Sequence, residues 1–204
     1  MRKSLAVAAA VLAALATGVS ARAQTWTEPK SGTAFEVSKD GMTLLGAGLR
    51  VKKVLFTFKA YAVGLYVDDA ALAGPLAAFK GKTSSPEFYQ ELQTGDFRKQ
   101  VVLKFLRNIG QKTIQDAMRE SLAGADAKTL DQFISYFPEV KEGAQCILRW
   151  APGGTLESVM AGQAKPPIQN RAFAERLFGL YLGPQPIQPD IKADVVARAK
   201  DVLK

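Results

Sequence analysis

Histidine is missing from this sequence and cysteine occurs once, at Cys146. The first absence removes Ser-His-Asp and Cys-His catalysis, histidine metal ligation, and an imidazole acid or base near neutral pH. The second removes an intramolecular disulfide and a cysteine-rich zinc site. No cofactor and no metal are expected. No block of lysines and arginines accompanies the net charge of +8, which arises from 27 Lys+Arg against 19 Asp+Glu. A dispersed excess reads as solubility and attraction to anionic envelope surfaces, and no nucleic-acid partner is expected. The N-terminal apolar run, Leu5 to Ala16, also falls short of the roughly 18 consecutive apolar residues of a membrane span.

That run is led by Arg2 and Lys3 and followed by Ala21-Arg22-Ala23, the pattern of a secretory signal cut before Gln24. Residues 1–23 are accordingly expected to be a signal peptide, with residues 24–204 forming one domain. The mature chain would be secreted across the inner membrane to the periplasm and would keep no transmembrane span. No cysteine lies near the cut, so a lipoprotein anchor is excluded.

From Phe35 to Val67 the sequence is rich in β-branched and aromatic residues, punctuated by Asp40-Gly41 and by Gly46 and Gly48. These read as a hairpin turn and as strand irregularities. A long strand is expected from Val54 to Val67, where Gly64 and the aromatics argue against helix. Further strands are expected over Lys99–Arg107 and Gln145–Ala151, the latter turning at Pro152-Gly153-Gly154 into Thr155–Met160. The period then changes to about 3.6. Ile114, Ala117, Met118 and Leu122 line one helical face, and Leu130, Phe133, Ile134 and Phe137 line another. Phe173, Leu177, Phe178 and Tyr181 mark a third helix, stopped by Gly183-Pro184, and Ile191 to Leu203 a fourth. Hairpins and paired helices without regular alternation predict an α+β fold, a mainly antiparallel sheet with helices on one face.

Lys80-Gly81-Lys82-Thr83 lacks the earlier glycine of a phosphate-binding loop, because that position is Leu76, and Gly46-Ala47-Gly48 lacks the third glycine of a dinucleotide site. No serine has a lysine three residues later, so a Ser-Lys nucleophile on one helical turn is absent. Glu120, Asp126, Asp131 and Glu139 fall among polar neighbours on expected helices, where a solvated face is the default. Arg50 is the more informative charge, since it follows two glycines and precedes the long apolar strand. Two readings stand for it. Either it is an exposed strand arginine and Tyr61 a core tyrosine, or irregular backbone around Val51 to Val54 corrects the strand phase and brings both to one pocket.

Gly46-Ala47-Gly48-Leu49-Arg50 followed by Tyr61-Ala62-Val63-Gly64-Leu65-Tyr66-Val67 resembles the opening of the chalcone isomerase superfamily. Lys80 to Thr83, Gly95-Asp96-Phe97-Arg98-Lys99, the hairpin Ile147 to Val159, and Asn170 leading to Leu182-Gly183 resemble later segments in the same order. The resemblance, to bacterial secreted members in particular, implies an open-faced β-sandwich. In that architecture a large antiparallel sheet is covered by helices and a ligand cleft lies between them. It also implies a role for Arg50, whose counterpart in the isomerases holds the substrate oxyanion during ring closure. Tyr61 stands where the isomerases have a threonine and where fatty-acid-binding relatives have tyrosine. The isomerase tyrosine falls at Thr113, the asparagine at Glu120 and the late threonine or serine at Leu180, so three polar positions depart from the enzyme pattern.

The resemblance thus implies a non-catalytic protein whose cleft binds a fatty acid or similar small amphipathic anion. Its ligand-binding residues would be Arg50, Tyr61, Thr113 and Leu180, and its apolar walls Phe56, Phe58, Phe105, Ile114, Met118, Leu177 and Leu180. Two alternatives remain at this stage. One is an intramolecular lyase closing a chalcone-like phenol onto its enone, with Arg50 as the oxyanion clamp. The other is an envelope protein-interaction module with a vestigial cleft and an unknown protein partner.

Overall fold

A computed structural model describes residues 24–53 and 57–204. The expected signal peptide, and with it Val54, Leu55 and Phe56 of the expected long strand and cleft wall, lie outside the described residues. Among the described residues no helix is long and apolar enough to cross a membrane.

Seven strands form one antiparallel sheet in sequence order: β3 (Ser38–Lys39), β4 (Met42–Lys53), β5 (Thr57–Asp68), β6 (Lys99–Phe105), β7 (Gln145–Ala151), β8 (Thr155–Met160) and β9 (Gln163–Gln169). Each strand pairs with the next, so the sheet is a meander interrupted only by helical insertions. Asp40 and Gly41 both take positive φ, 53° and 71°, as the two-residue turn from β3 to β4 demands. The long strand expected from Val54 is really β5, and the residues before it form β4, which ends at Lys53.

Alternation along the strands sorts the core onto two faces. Val63, Leu65, Val101, Leu103, Leu148 and Trp150 join the main cluster beneath the helices. Leu44, Ala47, Ala62, Tyr66 and Val102 point the other way, where β1 (Thr25–Thr27) and β2 (Ala34–Glu36) form a separate ribbon that lays Phe35 and Trp26 over them. A Cβ at Gly64 would stand 2.7 Å from the Phe35 ring, so glycine there lets the ribbon seat.

The helices fill the crossovers. After β5 come α1 (Asp69–Ala73), capped by Asp68 accepting from Ala70 N, and α2 (Pro86–Thr94), capped by Ser85 accepting from Phe88 N. Between β6 and β7 lie α3 (Gln111–Ser121) and α4 (Ala127–Ser135), whose buried faces carry Ile114 and Met118, and Leu130, Phe133 and Ile134. Helix α5 (Arg171–Leu182) follows β9 and buries Phe173, Leu177 and Phe178. The single C-terminal helix expected over Ile191–Leu203 is instead two short pieces, α6 (Ile191–Asp194) and α7 (Ala199–Val202). The break has a cause: between them Arg198 N donates to Leu45 O and Arg198 Nη1 to Leu44 O, so this backbone serves the free edge of β4 rather than a continuous helix.

Candidate ligand-binding cleft

The cleft is built at the end of β4–β6 where the sheet phase changes. Arg50 pairs directly with Tyr61, and Tyr61 with Phe105, giving a row across three strands. The next β4 residue, Val51, pairs with Lys59, leaving Ala60 as an extra residue in β5. The bulge puts Ala60 and Phe58 on the same face as Tyr61, and the bulge carbonyl is not orphaned, because Leu106 N donates to Ala60 O at 3.0 Å. Irregular backbone does therefore bring Arg50 and Tyr61 together, although the irregularity begins at Arg50 itself.

Helix α3 crosses over this end and leaves a space of about 490 Å³. Apolar walls come from Phe58, Ala60, Phe105, Ile114 and Met118, and Ile187 closes one side. That size and lining suit a small-molecule site. Arg50 is half-buried on the cleft and its Nη1 donates to Ile187 O at 2.8 Å. Gln188 fixes the strand on either side of it: Val51 N donates to Gln188 Oε1 and Gln188 Nε2 donates to Leu49 O, each at 2.9 Å. One side-chain amide thus pairs with the β4 edge as a neighbouring strand would.

Tyr61 is 5% exposed, meets Phe105 edge-on at 5.7 Å between centroids, and has its hydroxyl 3.4 Å from that of Tyr181. Burial raises the Tyr61 phenol above its ordinary pKa, opposed by the Tyr181 hydrogen bond and the positive charge of Arg50. Burial also pushes Tyr181 well upward, so both phenols stay neutral and able to donate.

Thr113 lines the cleft, as do the expected wall residues Phe58, Phe105, Ile114 and Met118. Leu180 and Leu177 require correction. Both are buried, at 8% and 1% exposure, but in the packing of α5 against the sheet, and neither lines the cleft. It is the next residue, Tyr181, that reaches Tyr61. Glu120, expected on a solvated face, stands at the cleft rim with its side chain 78% exposed and 3.5 Å from Lys52 Nζ. Lys52, Arg107, Ile187 and Gln188 went unnoticed in the sequence. The one local signal for the last two was the extended Pro184-Gln185-Pro186-Ile187-Gln188-Pro189 segment, which no helix could absorb.

Fold and site together define a class of protein: an antiparallel sheet under helices, with an arginine and a tyrosine on a greasy cleft between the layers. A family model described as chalcone isomerase-like matches residues 23–196, and the chain belongs to that family. It is similar to chalcone–flavanone isomerase 1 of Fragaria ananassa, 26% identical over 200 residues that cover 86% of this chain and 81% of that protein. The chalcone–flavanone isomerase of Pyrus communis is 27% identical over 190 residues, covering 81% and 87%. Among solved structures, a fatty-acid binding protein of Arabidopsis thaliana shares the fold with a TM-score of 0.76 at 21% identity, covering 88% of this chain and 99% of that one.

Proposed function

We propose that the chain is a secreted, non-catalytic member of its family that binds a fatty acid or similar small amphipathic anion, with Arg50 and Tyr61 on the carboxylate. The leader-like residues 1–23 make the periplasm its destination. The observation that carries the reading is a guanidinium beside a neutral phenol at one end of a largely apolar cleft. Arg50 has donors to spare after meeting Ile187 O, and a carboxylate matches its fork. An alkyl tail in the cleft would contribute about 0.8 kcal/mol per buried methylene. A contact to a charged group adds about 1.5–3 kcal/mol, so Arg50→Ala should weaken hexadecanoate binding roughly ten- to hundredfold by calorimetry. Lys128→Ala, on the exposed surface, is the control. Equal losses in the two variants would remove Arg50 from the account.

A second reading is favoured by the isomerases among the relatives, with Arg50 taken as the counterpart of their arginine on the motif resemblance alone. An intramolecular lyase would join the phenol oxygen of a chalcone to its β-carbon and move the phenol proton to the α-carbon, with Arg50 holding the enolate oxygen between the two events. Loss of a chalcone's long-wavelength absorbance faster than background, abolished in Arg50→Ala, would establish it.

A further inference from the structure

Five charged side chains line the cleft: Arg50, Lys52, Arg107, Asp116 and Glu120. Its two acids are already matched by lysines, Glu120 by Lys52 at 3.5 Å and Asp116 by Lys112 at 2.6 Å. What remains is two guanidiniums. Arg50 meets the neutral carbonyl of Ile187, and Arg107 lies over the Phe58 ring at 4.3 Å to its centroid. Neither forms an ion pair with a carboxylate among the described residues. A single carboxylate answers one of them and leaves the other half-buried without a counter-charge.

We infer that the ligand carries two separated anionic groups on one apolar chain, as an α,ω-dicarboxylate does, one held by Arg50 and the other by Arg107. The inference rests on the carboxylate-binding reading of the cleft and adds the second charge. The two arginines come from different strands. Arg50 is on β4, and Arg107 follows the end of β6, so two interstrand spacings of together about 10 Å lie between their strands. The wall they share is made by Phe58, Ala60 and Phe105, which suits a methylene chain joining the two anionic groups. Lying over Phe58, Arg107 keeps N–H donors that a bidentate acceptor can take.

The test titrates the purified protein with decanoate, tetradecanoate, decanedioate, tetradecanedioate and decyl phosphate by calorimetry at low and moderate salt. Each dicarboxylate should bind at least about tenfold tighter than the monocarboxylate of equal length, with the steeper salt dependence. In Arg107→Met that advantage should fall below about twofold, whatever happens to absolute affinity. Equal affinities in the wild type overturn the inference without any variant, and so does an advantage that survives Arg107→Met. Decyl phosphate binding tighter than both acids overturns it in favour of one dianionic head. If monocarboxylates bind through Arg50 with no gain from the second charge, only the present inference falls. If no carboxylate binds, or Arg50→Ala changes nothing, the underlying reading falls with it.

Discussion

Truncating Gln188 should loosen the grip of Arg50 without touching the cleft. The amide makes two hydrogen bonds of 2.9 Å to the β4 edge, to the residues on either side of Arg50, and the preceding residue supplies the carbonyl that receives Arg50 Nη1. Each such bond contributes on the order of 1 kcal/mol net, so Gln188→Ala should cost about 1–2 kcal/mol, the lower end if water takes over the edge. Freed from this frame, the guanidinium must be reordered on binding, a cost of about 0.5–1.5 kcal/mol, or roughly two- to tenfold in hexadecanoate affinity. A double-mutant cycle separates positioning from general damage. With Arg50 already replaced by alanine, Gln188→Ala should cost almost nothing further in affinity, a coupling above about 0.5 kcal/mol. Losses that simply add, or a lowered melting temperature with unchanged affinity in Gln188→Ala, would refute the assignment of a positioning role.

Two further expectations concern stability. Lys99 is fully buried, donates to Gln93 O and Gly95 O at the end of α2, and sits over Trp150 at 4.2 Å; burial lowers its pKa to about 7, opposed chiefly by Glu91. Its folded value is depressed, so the stability linked to it is complete above the ordinary lysine range and is lost as pH falls toward about 7, by up to about 1.4 kcal/mol per pH unit. Thermal melts of wild type and Lys99→Met across that window should diverge in slope, and parallel slopes would refute it. Gly46→Ala would place a Cβ 2.6 Å from both Ala197 N and Asp194 O, backbone that cannot turn aside. Displacing that segment from β4 should cost about 2–3 kcal/mol and lower the melting temperature by several degrees; an unchanged melting temperature would show that the C-terminal segment is not seated there.

What could be read in advance was whatever local chemistry decides. The hairpin β7–β8 has the bounds expected from its residues, because Gly153 and Gly154 alone accept the positive φ of 88° and 82° at its turn. Strand β9 was missed because Pro166-Pro167 argues against a strand, yet an edge position tolerates the missing N–H groups. Helix α2 was passed over although Ser85-Pro86-Glu87 is a helix start; its two buried residues, Phe88 and Leu92, give too thin an apolar stripe to stand out. At the cleft, Arg50 and Tyr61 were legible because one hairpin carries both. Tyr181, Ile187 and Gln188 were not, since they arrive from a chain separation of 120 residues or more and no spacing rule reaches so far. The surroundings of Lys99 were hidden too, because of the rings around it only Phe97 is a near neighbour in the chain, while Trp150 and Phe178 come from β7 and α5.

A guanidinium in such a cleft can serve binding or catalysis, and the difference lies in when its counter-charge exists. A fatty-acid carboxylate is charged before it arrives, so whatever Arg50 gives it appears as affinity. An enolate oxygen is charged only as the ring closes, so the same contact would appear as rate. Rate also needs further donors already aimed at the developing charge, each worth about 10²–10³ in kcat. Here the Tyr61 hydroxyl lies 3.4 Å from that of Tyr181, Leu180 brings no hydroxyl and does not reach the cleft, and the Glu120 carboxylate stands at the rim beside Lys52. The uncharged hydroxyls on the cleft lining are those of Tyr61, Thr113 and Ser121. Restoring donors should therefore raise ring closure from a low base only if Arg50 is kept. Tyr61→Thr with Glu120→Asn is the variant to assay, and a rate that stays at background would mean that the cleft presents its charge to a ground-state anion alone.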